Sequence, residues 1–544
     1  VKLVLDIETT KDHSHIFLAV TKNLQTGEIL CHTESSSLRP LLEEAELIIG
    51  HNVISFDSYL LEKLWKIPMQ SRKYFDTLIM SRLGLPDRQG GHSLANWGRI
   101  LSFPKIDFDN FTELSDEMIE YCIQDVNLTE KVYHSVVQEL STFRNCEQVI
   151  DLEHEVAWII REQEEHGFKL DVTGAKTLLA DLLFEMYDIV EQIQSEVPPK
   201  VVQLKTKAKV IPFNCGSRLQ IGELLVSQGW KPKQLTPTGR PVVDEGTLSS
   251  CKLPLARKFE RYLMLQKRVA QIESWIEAVD DRGYVHGKVL TTGTVTSRMA
   301  HNSPNMAQVP ASHSPYGKEC RALWTPSVGN VLVGVDASSL ELVMLAHYMK
   351  DPEYISAVST GKKEDGTDIH TRNMRAINLK SRDDAKTFIY AFLYGAGDEK
   401  IGSIVGKGRV HGAALKNQFL EATPALAKLK ANVEEAAKRG YIYGLDGRKL
   451  FIRSSHAALN TLLQGGGAII MKRALVIFKE HIKTLPASFV ANVHDEWQID
   501  VAPEWADEVG RLGVQSIEEA AMFYNLRCPL TGEYKCGTTW AETH

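Results

Sequence analysis

At 544 residues, with 43% apolar and 24% charged side chains, the chain is too long for a single hydrophobic core and too apolar for extensive disorder, so a folded protein of two or more domains is expected. Its net charge of −7 excludes a uniformly basic surface; a nucleic-acid partner would have to be met by local basic patches. Eight scattered cysteines without a C-x-x-C pair give no sign of a zinc site or redox dithiol and fit a reducing compartment. No apolar run is read as long enough to span a bilayer. The acids in VKLVLDIETT stand where a secretory signal needs a continuous apolar region, so a cytoplasmic protein without membrane contact is expected, although Val1 leaves the native start open.

Residues 1–140 mix short β-type runs (KLVLDI, AELIIG) with a helical pattern near Met118 to Val132, the mark of an α/β domain. In LVLDIETT, Asp6 and Glu8 are two apart on a predicted strand and point to one face. Such a pair is either a solvated strand face or half of a metal site. Two further pieces favour the site: HNVISFD, ending at Asp57, and YCIQD, in which Tyr121 and Asp125 share a helix face. Four acids from three segments can converge on two metal ions, as phosphodiester hydrolysis requires. The ordered set D-x-E, N-x-x-x-F-D and Y-x-x-x-D resembles the proofreading 3′-to-5′ exonucleases built on an RNase H-like sheet. That resemblance implies Asp6, Glu8, Asp57 and Asp125 as metal ligands and Tyr121 as the residue orienting the attacking water.

From Ile150 to Val197 the pattern turns helical, broken at Gly167, and a helix-rich second domain is expected to begin there. VPPKVVQLKTKAKVIPF reads as a basic connector carrying Lys200, Lys205, Lys207 and Lys209, either a solvated loop or a phosphate contact. The helical stretch that follows adds Lys258, Arg261, Lys267 and Arg268 with the same two readings.

LVGVDASSLELVMLAHYM places Asp336 at the end of a β-type run and Glu341 at the start of a helix. In SRDDAKTFIYAFLYGAG, residues Arg382, Lys386, Tyr390 and Tyr394 drift only about 40° per step and form one stripe of two cations and two aromatics, suited to a triphosphate followed by a sugar and base. An amphipathic helix with core tyrosines is the alternative for any one of them. FVANVHDEWQIDV reads as two strands meeting at a polar tip of His494, Asp495 and Glu496, which either solvates a turn or holds a hard cation.

Asp336 with Glu341, the R-x-x-x-K-x-x-x-Y-x-x-x-Y-G helix and VHDE together resemble the polymerase motifs of family A, the DNA polymerase I family. TGTVTSRMAHNSPNMAQVP, SPYGKECRALW, DIHTRN and the closing TWAETH extend the similarity over nearly the whole chain, toward the replicative enzymes of T-odd podoviral phages. The resemblance implies α/β and α+β domains: an exonuclease over 1–140, thumb and linking helices over 141–300, palm over 301–355 and 441–544, and fingers over 356–440. It implies template-directed addition of dNTPs to a primer, with Asp336 and Asp495 holding two Mg2+ ions, Mn2+ able to substitute, and Glu496 supporting them. His370, Arg382 and Lys386 would bind the triphosphate, Lys386 also as proton donor to pyrophosphate. Tyr394 would close the pocket near the template base, and the hydroxyl of Tyr390, also at the nucleotide, would favour acceptance of dideoxynucleotides. Glu341, packed on Tyr390, would exclude a ribose 2′-hydroxyl. Arg298, Gln308, Asn460, Gln464 and His494 would contact primer-template DNA, many in the minor groove.

A helicase and primase are implied partners, in the cytoplasm of a bacterial host. The thioredoxin-capturing insertion of podoviral relatives is reduced to the short stretch near 197–213, so no thioredoxin dependence is expected. No five-prime nuclease domain precedes the exonuclease motifs, which favours replication over gap repair. Val343 stands where arginine is common, Ala391 where glycine is, and a triple glycine follows Gln464. Two rivals are a single-subunit RNA polymerase, opposed by Glu341 and the exonuclease motifs, and a non-catalytic DNA-binding scaffold, opposed by the intact acids.

Overall fold

The computed structural model describes residues 1–70, 72–203 and 208–544, so Lys205 and Lys207 of the basic connector lie outside the described residues. The chain falls into two compact units: Val1–His166 with Lys288–Asn302 and Val333–Cys536, and Gly167–Gly287 with Ser303–Leu332 and Gly537–His544.

In the first unit the N-terminal segment builds a five-stranded mixed sheet in the order Ile29–His32, Ile16–Asn23, Lys2–Thr9, Leu47–Gly50, Tyr74–Asp76. Antiparallel pairing joins the first three strands and parallel pairing the last three, an RNase H-like arrangement. The alternation that buries Val4 on one face and Leu3 and Leu5 on the other leaves the strand covered on both sides, and the helix Asp116–Leu140 packs across it. Ser115 caps that helix by accepting from Met118 N, with Asp116 and Glu117 in its positive first turn.

A four-stranded sheet, ordered Ala487–Val493, Glu496–Val501, Val331–Ala337, Gly532–Gly537, forms the second centre of this unit. The long helix Ala458–Ile482 packs beside Leu340–Met349, and the triple glycine allows it: a Cβ on Gly466 would sit 2.4 Å from Met344 Cε, and one on Gly465 2.4 Å from Leu450 Cδ1. Contrary to the sequence expectation, one segment, Ser455–Ile482, is long and apolar enough to cross a bilayer; 78% of its apolar window is buried inside the protein, as in a core helix.

The helix Cys146–His166 belongs to this unit. Its His154 Nε2 accepts from Asp76 N at 2.8 Å, and its fully buried Glu153 meets Arg448 at 2.5 Å and Lys472 at 2.7 Å, with Arg448 also bound to Asp446. Two cations sharing two acids satisfy one another out of water.

In the second unit the helices Val172–Glu196 and Pro254–Ala278 pack together, and Phe168, Trp275, Trp324 and Trp540 cluster at a three-stranded sheet, Trp275 meeting Trp324 edge to face and Phe168 lying tilted against Trp324 and Trp540. The connector read as a loop contains a hairpin, Lys200–Gln203 with Ala208–Ile211. Three of the ambiguous cations of the long helix are engaged internally: Lys258 with Glu196, Arg261 with Glu185 and Tyr316, and Arg268 with the Pro315 carbonyl.

Candidate active sites

The N-terminal carboxylates meet at the middle of the mixed sheet. Asp6 and Glu8 leave one face of the strand Lys2–Thr9, and Asp57 is tied to the same strand, its Oδ1 accepting from Ile7 N at 3.1 Å. The loop that delivers Asp57 starts from Asn52, whose φ of 69° is held by Asp76, the acceptor for Asn52 N and Ile54 N. Asp125 projects from the helix Asp116–Leu140 and pairs with Lys105 at 2.5 Å; the same Nζ stands 4.7 Å from the centre of the Tyr121 ring.

Burial and mutual repulsion dominate the electrostatics. Burial, then the charge of Asp125, pushes Asp6 up to about 8, while burial, then Asp6 and Asp125, pushes Glu8 up to about 9. Asp57 and Asp125 are raised as well, chiefly by burial, with Lys105 opposing the rise at Asp125. Ligand atoms of Asp6, Glu8 and Cys122 all lie within 4.8 Å of one another. Crowded buried carboxylates whose negative charge is this costly fit a divalent cation, which removes the repulsion and prefers oxygen donors. Lys105, Asp76 and Cys122 were not singled out from the sequence, because only the packed fold brings them to the acids.

The second acidic group sits on the four-stranded sheet. His494 and Asp495 form the two-residue turn of a hairpin in which Val493 pairs with Glu496, and His494 takes a φ of 59°. Ala337 N donates to Asp495 O at 3.0 Å, so the adjacent Asp336, exposed at the end of a buried strand, stands beside Asp495. Burial, then Glu341, pushes Asp495 up to about 6, with Arg298 opposing. Glu496 is buried and its Oε1 accepts from Gln498 Nε2 at 2.6 Å. Buried Asp495, raised by burial and by the charge of Glu341, fits a cation that offsets that cost, with the exposed Asp336 on the adjoining strand end as a second oxygen donor.

Glu341 opens the helix Leu340–Met349. One of its oxygens accepts from both Tyr394 Oη, at 2.9 Å, and Arg298, at 3.2 Å. Burial, then the charges of Glu341 and Asp495, pushes the Tyr390 phenol up to about 12. Farther along the helix Arg382–Leu393, Arg382 is gripped by Asp368 Oδ1 through Nε at 3.1 Å and a terminal nitrogen at 2.7 Å. Asp368 also caps the helix Ile369–Ala376, accepting from His370 N and Thr371 N. His370 is buried, 6.3 Å from the Tyr390 ring, and lowered in pKa by burial, then by Arg382 and Lys386. Lys386 is exposed. The stripe read from the sequence is therefore one cluster with His370, and Asp368, the first residue of DIHTRN, organises two of its members.

Asn460 and Gln464 lie one turn apart on the helix Ala458–Ile482. Asn460 lines a cleft with Phe392, Gly395, Lys416 and Lys430. Arg298 and His494 line a pocket at Asp495 together with Gly467 and Lys472. Gln308, on a short 3-10 turn Met306–Gln308, is part of the other compact unit.

Comparison with known proteins meets this geometry. The DNA polymerase family A model matches residues 187–542. The chain belongs to DNA polymerase family A. A family A polymerase is a nucleotidyltransferase that makes DNA, and this chain is such an enzyme. It is 31% identical to the DNA-directed DNA polymerase of Escherichia phage T7, over 92% of each chain, and 30% identical to that of Enterobacteria phage T3, over 93% of this chain and 94% of the other. It is 26% identical to DNA polymerase I of Caldicellulosiruptor bescii, over 77% of this chain and half (50%) of that protein. In fold, this family A polymerase is similar to the POL domain of Pol1 from M. smegmatis, solved with DNA primer-template and dNTP: TM-score 0.84 at 19% identity, covering 99% of this chain and 96% of the other.

Proposed function

We propose that the enzyme replicates a phage genome, extending a primer on a DNA template with dNTPs at the Asp336–Asp495 site and removing mispaired 3′ ends at the Asp6–Glu8–Asp57–Asp125 site. The observation that supports the reading is the backbone hydrogen bond from Ala337 N to Asp495 O, which joins the strand end that carries Asp336 to the hairpin turn that carries Asp495. Mg2+, with Mn2+ as a substitute, would supply the activation of the primer 3′-oxygen and the neutralisation of the triphosphate at these acids.

The chain's own residues do the rest. Asp336 and Asp495 fix where the α-phosphate stands; Glu496 is held by Gln498 and adds negative charge behind them. Arg382 and His370 bind the triphosphate, and the exposed Lys386 gives a proton to the leaving pyrophosphate. Glu341 occupies the space a ribose 2′-hydroxyl would need, so dNTPs are preferred; on dNTP entry its bond to Tyr394 has to be exchanged. Arg298, Gln308, Asn460, Gln464 and His494 follow the duplex without reading sequence. In this scheme 1–140 is the exonuclease, 141–300 the thumb and linking helices, 301–355 and 441–544 the palm, and 356–440 the fingers. A replicative helicase and primase act alongside it in the host cytoplasm, without thioredoxin.

Primer extension and 3′-end degradation by wild type, Asp495→Ala and Asp6→Ala test this directly. Asp495→Ala is expected to lose extension by at least about a thousandfold while still degrading, and Asp6→Ala the reverse. Extension with rNTPs as fast as with dNTPs, or extension surviving Asp495→Ala, overturns the reading.

A further inference from the structure

Cys122 is the residue of the N-terminal cluster for which hydrolysis has no use. It lies fully buried on the helix Asp116–Leu140, with Sγ 3.5 Å from Asp6 Oδ2 and 3.7 Å from the Asp6 carbonyl oxygen. One donor atom from each of Asp6, Glu8 and Cys122 falls within 4.8 Å of the others. Donors around one tetrahedral Zn2+ stand about 3.4–3.8 Å apart, so a small adjustment closes these three on a single ion. A further donor waits beside them: Asp125 is only 3% exposed, its Oδ1 has no hydrogen-bond partner, and its charge acts on both Asp6 and Glu8.

Ion chemistry decides who uses the sulfur. Mg2+ takes oxygen and ignores a thiol, whereas Zn2+ and Cd2+ bond thiolate strongly. Only an ion with a strong bond to sulfur displaces the proton of a thiol.

We propose that Cys122 makes this cluster a trap for thiophilic divalent ions: Zn2+ or Cd2+ bonds Sγ together with one oxygen each of Asp6 and Glu8, the thiol proton passes to water, and 3′-end removal stops while primer extension continues. The loss of 3′-end removal rests on the hydrolytic reading of the cluster; the metal binding does not.

The test is a Cd2+ titration of the reduced, metal-free full-length chain, following the ultraviolet charge-transfer band of thiolate bound to Cd2+. Wild type is compared with Cys122→Ser, with Cys122→Ala in case the serine misfolds, and with an Asp6→Asn/Glu8→Gln double variant that keeps the thiol. The Cys122 variants are expected to lose one equivalent of band, and the double variant to need about tenfold more Cd2+ for it. With Mg2+ in excess, Cd2+ is expected to halt 3′ degradation by wild type at concentrations that leave extension intact. A band unchanged in the Cys122 variants, or a titration midpoint unchanged in the double variant, overturns the trap. If the band behaves as expected while wild type degrades no 3′ end in Mg2+ alone, the hydrolytic reading falls and the metal site stands.

Discussion

Asp368 shows how much a single side chain settles that the sequence does not display. Its carboxylate caps one helix and grips Arg382 on the next, 14 residues away, and those contacts, Arg382 and Thr371 foremost, hold its pKa at about 2 against the cost of burial. Asp368→Asn keeps an oxygen for the His370 and Thr371 N–H groups but weakens the hold on the guanidinium. Steady-state single-nucleotide incorporation is expected to show KM for dNTP raised about tenfold with kcat changed less than about twofold. The acids themselves were legible because chemistry forces them into short ordered motifs such as D-x-E. Lys105, Asp76 and Asp368 carry no such signature; each becomes visible only when helices or loops separated in the chain dock against each other.

Among the elements, the helix Ala458–Ile482 owes its position to small residues. Gly465 faces Leu450, which is completely buried and has little room to retreat. Gly465→Ala is expected to destabilise the chain by about 1–3 kcal/mol, read as a lower urea midpoint with an unchanged slope. The run GGG was conspicuous in the sequence, but its reason, close approach to Leu340, Met344 and Leu450, needed the packed partners. The hairpin at His494–Asp495 was readable from alternating apolar residues on both sides of a polar tip. The connector hairpin was not, since lysines interrupt the pattern that pairs Val201 with Val210. A strong apolar period announces a strand; a mixed one does not.

On the scale of the whole molecule, the repulsion stored in the N-terminal cluster makes stability depend on pH and metal together. Asp6 and Glu8 bind protons more tightly when folded, at about 8 and 9, than at their ordinary values of 3.8 and 4.5. Their contribution is therefore fully present below about pH 4 and is lost as pH rises through 8 to 9. In EDTA, Tm of wild type is expected to fall more steeply between pH 6.5 and 9 than that of Asp6→Asn/Glu8→Gln, and added Mg2+ to restore more at the alkaline end; parallel curves for the two proteins would remove the cluster as the cause. The motif order along the chain made the polymerase family legible at this scale. The change to helical pattern near Ile150 marks an element without marking a new core, because His154 and Glu153 bind the helix Cys146–His166 back into the first unit. Glu153 also limits how the chain can be shortened. A fragment trimmed to begin after that helix would leave Arg448 with Asp446 but without Glu153, strip Lys472 of its bond to Glu153 and uncover the face the helix packs on, so a stand-alone synthesising piece is expected to fold better when it starts upstream of Cys146.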